Sequence, residues 1–124
     1  MAAKSIAIIG ASNNRAKFSN KCVRAYQTLG WKVFPVNPKE SLIEGLKCYP
    51  KISDVPEKPS RISIYLQSQV TLALVGELQS FGAKEVILNP GAESDELVAV
   101  LKKSRIKPIL KCSIRTEGLS PDDF

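Results

Sequence analysis

The sequence predicts an α/β domain built on a mainly parallel sheet, and three observations carry that reading. Apolar runs suited to buried strands alternate with amphipathic helical stretches along the chain. The first two runs and the helical stretch between them fit within residues 5–36, the span of a βαβ unit with a right-handed crossover. Three of the runs stop at Gly10, at Asn37-Pro38 and at Asn89-Pro90-Gly91, residues that break a strand and turn the backbone.

The elements follow in order. Residues 5–9, with three isoleucines, suit a strand buried on both faces. From Phe18 the positions Phe18, Cys22, Tyr26 and Leu29, with Val23 beside them, form one helix face, and Gly30 is the expected stop. Residues 31–36 form the second strand. Residues 39–60 are less regular: 45–50 read as a short edge strand, 53–56 as a capped turn, and Pro56 and Pro59 prevent a long helix. Residues 61–66 form a strand of alternating character. A helix over 68–81 carries Val70, Leu74, Leu78 and Phe81 on one face with Val75 alongside, and Gly82 ends it. Residues 85–88 are a strand. Ser94 is the expected N-cap of the last helix, with Asp95 and Glu96 in its first turn and Lys102, Lys103 and Arg105 in its last. Residues 107–110 complete the sheet, and the acidic tail from Glu117 is expected to fray.

Size and composition narrow the function classes. The 124 residues make a single domain (1–124) able to bury about two-thirds of its unfolded surface. No apolar run approaches the roughly 20 residues of a membrane span. Met1-Ala2-Ala3-Lys4 runs into the first strand without the apolar core of a signal peptide, so a cytoplasmic location is expected. Three cysteines without a C-x-x-C argue against a disulfide framework, and Cys22 reads as a small core residue. The net charge is +6, and residues 1–62 hold 11 Lys/Arg against 4 Asp/Glu, so the surplus lies in the half with the Gly10 turn. Those cations are spaced singly with little aromatic interleaving. That favours a solvated basic surface, then a polyphosphate ligand, over nucleic acid.

A strand that breaks at Gly10 and feeds a helix gathers backbone N–H groups and the positive end of the helix dipole at one point, an anion site. Ser12 adds a hydroxyl, and Arg15 and Lys17 add charge. One glycine falls short of the dinucleotide fingerprint G-x-G-x-x-G. The three turns at Gly10–Lys17, Asn37-Pro38-Lys39 and Asn89-Pro90-Gly91 fall on the carboxyl edge of the sheet, where such folds bind ligands. Strand two does not end in the Asp or Glu that holds an NAD ribose; it ends Val36-Asn37-Pro38-Lys39. A cation there suits a phosphorylated ribose, the 2′-phosphate of NADP or the 3′-phosphate of coenzyme A, with a charged hydrogen bond of about 1.5–3 kcal/mol.

Gly10-Ala11-Ser12, Lys17, Pro35-Val36-Asn37-Pro38, Gly45 with Tyr49, and Asn89-Pro90-Gly91 together resemble the CoA-binding domain family. That family includes small stand-alone bacterial proteins and the N-terminal domain of the succinyl-CoA synthetase alpha subunit. The resemblance covers residues 5–113 and implies a Rossmann-like fold, a mainly parallel sheet with helices on both faces. It implies coenzyme A or an acyl-CoA as ligand, with Gly10, Ala11, Ser12, Asn13, Asn14 and Arg15 at the pyrophosphate and Lys17 close by. Val36, Asn37, Pro38 and Lys39 would flank the adenosine and its 3′-phosphate, and Leu88, Asn89, Pro90 and Gly91 would border the ligand from the next strand end. Tyr65 matches a similar tyrosine of the synthetase domain. Cys112 matches a cysteine common after the last strand of stand-alone members, and a buried structural role is expected of it.

The synthetase acts through a histidine in a further domain, and this chain has no histidine. Ser–His and Cys–His pairs and His-containing zinc sites are therefore excluded. No tyrosine is followed four residues later by lysine, there is no G-K-[ST] phosphate loop, and strand one ends without the acidic residues of a phosphoacceptor. The expectation is non-catalytic binding of CoA or an acyl-CoA, with no metal, nucleic acid or membrane partner and no protein partner indicated. The alternatives are an NADP-binding oxidoreductase fragment and a regulatory domain with a vestigial nucleotide site.

Overall fold

The computed structural model describes residues 4–124. Five strands, β1 (Ser5–Ile9), β2 (Lys32–Val36), β5 (Arg61–Ile64), β6 (Glu85–Leu88) and β7 (Lys107–Leu110), form one parallel sheet in the order β2-β1-β5-β6-β7. A hairpin of β3 (Leu42–Ile43) and β4 (Leu46–Lys47) is inserted after β2. Helix α1 (Phe18–Thr28) packs on one face, and α2 (Ser68–Phe81) and α3 (Asp95–Lys103) pack on the other.

β1 shows why its sequence is a continuous apolar run. Ile6 and Ile8 face Cys22, Val23 and Tyr26 of α1, while Ala7 and Ile9 face the core shared with α2 and α3. A central strand covered on both sides has no solvent face to mark with polar residues. The same reason corrects the reading of β5: Ser63 is fully buried and hydrogen-bonds Ser113 Oγ at 2.7 Å, so its alternation is not core against water.

The C-terminal tail is ordered where fraying was expected. Ile114 is buried, and short 3-10 turns form at Arg115–Glu117 and Pro121–Asp123. Ser113 O accepts from Tyr26 Oη at 2.7 Å, while Arg61 joins that hydroxyl at 2.8 Å to Glu117 at 3.1 Å. These tethers link residues 35 to 87 positions apart, which no local pattern announces.

The edge strand read at 45–50 is instead the β3–β4 hairpin followed by a parallel bridge between Val36 and Tyr49. Tyr49 N donates to Pro35 O and Tyr49 O accepts from Asn37 N, both at 2.9 Å, so this segment lies along the outer side of β2. On the opposite edge, Lys107 N donates inward to Lys84 O at 2.9 Å. Alternation along the ladder then turns the next residue, Pro108, outward, where its missing N–H leaves no vacancy. Ser94 caps α3 as expected, accepting from Leu97 N at 3.1 Å. Arg105 falls beyond that helix, in a left-handed conformation at φ 61°. Among the described residues, no helix is long and apolar enough to cross a membrane.

Candidate functional site

The strand order reverses between β1 and β5: α1 leaves β1 toward one face of the sheet and α2 leaves β5 toward the other. Their divergence opens a crevice at the carboxyl edge. Gly10 N and Ala11 N both donate to Val36 O, at 3.0 and 3.2 Å, and Tyr65 N donates to Ile9 O at 2.9 Å, which pins the crevice floor. Gly10 has φ +88°, and a Cβ there would sit 2.9 Å from Leu66 Cδ2 and 3.3 Å from the Tyr65 carbonyl carbon. Both the conformation and the space require glycine.

From Gly10 the chain makes two side-chain turns. Ser12 Oγ accepts from Asn14 N and Asn14 Oδ1 accepts from Ala16 N, each at 3.0 Å. The hairpin grips this loop from outside. Asn13 Nδ2 donates to Glu40 Oε2 at 2.7 Å and to Leu42 O at 3.0 Å. Glu44 Oε2 accepts from Asn20 Nδ2 at 3.1 Å and lies 3.9 Å from Arg15 Nε. Helix α1 then begins with no side-chain cap at Lys17 and no acid in its first turn. Its first N–H groups lack intrahelical partners and point at the crevice with the positive end of the dipole.

Two cavities flank the turn. One, about 290 Å³, is an apolar slot between Gly10, Val36, Pro38 and Ile52 on one side and Leu66 and Val70 on the other, with Lys51 and Glu77 in its lining. The second, about 510 Å³, is lined by Lys17, Phe18, Tyr65, Pro90, Cys112 and Arg115, among others. Successive residues leaving β5 serve both, Leu66 the slot and Tyr65 the larger cavity. A further cavity of about 390 Å³ lies at the amino ends of β5 and β6, the edge opposite the loop tips.

Asn89 is 1 % exposed although it borders the larger cavity. Its Nδ2 donates to Ser63 Oγ at 2.8 Å and Ile64 O at 2.9 Å, while its Oδ1 accepts from Ser113 N at 2.8 Å. The amide thus ties β5, β6 and the C-terminal segment together, and its ligand-facing role is to shape the wall. Beside it the Tyr65 hydroxyl is buried without a hydrogen-bond partner.

The sequence profile of the family described as CoA binding domain matches residues 4–117. The chain belongs to that family. Among curated proteins, the ADP-forming acetate–CoA ligase II of Archaeoglobus fulgidus is 32% identical over 95 residues, covering 75% of this chain and 14% of the ligase. The alpha subunit of the corresponding Pyrococcus furiosus ligase II is 31% identical over 88 residues, covering 68% of this chain and 19% of that subunit. The chain therefore spans less than a fifth of the length of either relative. Among solved structures, a conserved hypothetical protein of Pyrococcus furiosus superposes with TM-score 0.81 at 35% identity, covering 86% of this chain and 91% of that one. The dinucleotide-forming acetyl-coenzyme A synthetase 1 of Ca. Korarchaeum cryptofilum, in complex with phosphate and ADP, gives TM-score 0.75 at 30% identity, over 87% of this chain and 25% of that one. The fold is the Rossmann-like α/β architecture of these CoA binding domain proteins.

Within this CoA binding domain, the structure sorts the residues named from sequence. Gly10, Val36, Asn37 and Pro38 line the slot, and Lys17, Asn89 and Pro90 line the larger cavity. Ser12, Asn13, Asn14 and Arg15 form the exposed loop between β1 and α1, and Ala11 is buried with its carbonyl held by Asn37 Nδ2 at 2.8 Å. Lys39 is exposed outside the slot and Gly91 outside both cavities. Leu88 is a core residue, because its side chain points into the sheet face under α2 and α3. Cys112 is half-buried in a cavity wall, a correction to its expected structural burial. Phe18 and Val70, read as helix-face core positions, are 59% and 47% exposed, and each lines a cavity. Thr71, not Val70, is the buried residue at that turn of α2. Sequence reasoning missed Lys51, which carries no motif, and the Asn89–Ser63–Ser113 network.

Burial pushes the Cys22 thiol up to about 12, opposed by the neighbouring Tyr65 and Ser63 hydroxyls. Burial, then the adjacent Cys22, raises Tyr65 as well. A thiol whose folded pKa is raised contributes stability that is intact below its unfolded value and is lost as pH climbs toward 12. Cys22 alone should therefore lower the unfolding free energy by up to about 1.4 kcal/mol per pH unit above about pH 9. Urea titrations at about pH 8 and 10.5 check this, with Cys22→Ala expected to be less stable overall but to lose less across that interval.

Proposed function

We propose that the domain binds coenzyme A or an acyl-CoA across the carboxyl edge of its sheet, without itself catalysing a reaction. One observation carries the reading: an apolar slot and a larger cavity lie on either side of a glycine turn that ends at an uncapped helix. Such an arrangement suits a ligand with a flat base, a central pyrophosphate and an extended arm. The adenine lies in the slot between Pro38 and Leu66, the pyrophosphate over the 10–14 turn and the α1 N-terminus, and the arm runs past Tyr65. The similarity to segments of CoA ligases supports the ligand. The chain's lack of histidine supports a binding role, as does a Cys22 thiol held protonated by burial.

Lys51 lines the slot, and Lys39 stands just beyond it, so both are available to a ribose 3′-phosphate. Isothermal titration should show CoA binding about 10-fold tighter than dephospho-CoA, the worth of one charged hydrogen bond. Lys51→Glu should erase that ratio, and Lys39→Glu should reduce it. NADPH binding tighter than CoA overturns the assignment in favour of a dinucleotide site, and no binding by CoA, NADPH or NADH overturns it in favour of a vestigial one. Thioester hydrolysis or acyl transfer by the purified domain would overturn the non-catalytic part alone.

A further inference from the structure

The loop between β1 and α1 is braced by a buried side chain that lines neither cavity. Asn20, in the first turn of α1, is 0 % exposed. Its Nδ2 donates to Ser12 O at 2.8 Å and to Glu44 Oε2 at 3.1 Å, and its Oδ1 accepts from Arg24 Nε at 2.7 Å. A guanidinium can only donate and a carboxylate can only accept, so this amide has a single orientation. Arg24 Nη2 reaches on to Arg15 O at 2.8 Å, and Gln27 Nε2 holds the Glu44 carbonyl at 3.1 Å. Glu44 and Gly45 have φ of 50° and 78°, the paired positive values of a tight hairpin turn, and that turn delivers the carboxylate to Asn20. From the other side Asn37 Nδ2 donates to Ala11 O at 2.8 Å. A planar trans peptide holds its N–H opposite its carbonyl. Fixing the carbonyls of Ala11 and Ser12 therefore fixes the N–H groups of Ser12 and Asn13, which point away from the two amides. Among the described residues neither N–H meets an acceptor.

Resting on the CoA reading above, we propose that Asn20 is a positioning residue for the pyrophosphate. It touches no ligand atom. With Glu44 and Arg24 locking its amide, it turns the Ser12 carbonyl toward α1 and so aims the Asn13 N–H at a phosphate oxygen before the ligand arrives. A loop already ordered in the free protein spares binding that entropy cost. Without the brace the Ser12–Asn13 peptide is free to rotate, and a carbonyl oxygen turned toward a phosphate repels it. Glu44 comes from the β3–β4 hairpin, so that insertion acts on the pyrophosphate through α1 without reaching it.

The test titrates CoA into the parent protein, Asn20→Ala and Arg24→Met, by calorimetry and by nitrogen–proton correlation spectra. Asn20→Ala is expected to weaken CoA binding about 10-fold and Arg24→Met about 3-fold. In the parent protein the Asn13 amide proton should move downfield on saturation with CoA, and that movement should shrink in both variants. The Ile52 and Leu66 amides, beside the slot, should respond to saturating CoA in the variants as they do in the parent. Thermal unfolding confirms a folded chain, and Arg24, only half-buried, supplies the deciding variant should Asn20→Ala not fold. Unchanged CoA affinity in the folded variants, or an Asn13 amide unmoved by bound CoA in the parent, overturns this inference and leaves CoA binding intact. Loss of the slot and loop responses together also overturns it, since it makes Asn20 a general support of the fold. No CoA binding by the parent protein strikes the CoA reading itself, and this inference with it.

Discussion

Gly10→Ala is expected to weaken CoA binding by at least about 30-fold, close to 2 kcal/mol, and to lower folding stability by a similar amount. The residue has φ +88°, a region where a side chain is strained. The new Cβ would meet Leu66 Cδ2 at 2.9 Å and the Tyr65 carbonyl carbon at 3.3 Å. The leucine tip can swing away, but it lines the slot, so moving it changes the adenine pocket. The Tyr65 backbone is held by its bond to Ile9 O and cannot follow. Gly30→Ala separates the two effects: φ is +79° there, but nothing lies within 4 Å of the added Cβ. That variant should lose stability and keep its affinity for CoA. Denaturant unfolding together with titration reads both, and an unaltered affinity in Gly10→Ala would remove the turn from the binding surface.

Asn89→Ala should cost about 3 kcal/mol, because it strips partners from the Ser113 N–H, the Ile64 carbonyl and the Ser63 hydroxyl in a dry interior. Thermal unfolding should drop by roughly 12 °C. Asn89→Asp keeps the shape and the acceptor for Ser113 N, but it sets a carboxylate oxygen against Ile64 O. It should be at least as destabilising, which assigns the effect to hydrogen bonding and not to lost volume. A fall below about 1 kcal/mol in either variant would mean that water replaces the amide.

Much of this architecture could be read from local signals. α2, β6 and β7 lie where the apolar periods and the breakers at Gly82 and Asn89-Pro90 place them. Ser94 announces α3 because a cap acts on its own next turn. Long-range features were not legible. The β3–β4 hairpin has two-residue strands whose stability comes from packing Ile43 and Cys48 onto the α1 face. The tail is ordered by Tyr26 and Arg61, far away in sequence. Phe18 and Val70 followed the helix period faithfully, yet an apolar face can be extended by residues that line a cavity as well as by residues that fill a core. Asn89 was visible as a turn former, but only the fold shows that its amide points inward. Turn chemistry placed the loop tips on one edge, and it could not say that Lys51 would line the slot while Lys39 would stand outside it.

The strap through Tyr49 covers the carboxyl end of β2's outer edge, and the outward-turned Pro108 removes a donor from β7's, so both flanks of the sheet offer a foreign strand fewer hydrogen-bonding partners. Growth by strand addition, a route from exposed sheet edges to intermolecular sheets, is hindered at both edges. The domain's helices and loop tips are the alternative surfaces for a larger assembly. A neighbouring polypeptide docked on that second surface would also roof the crevice.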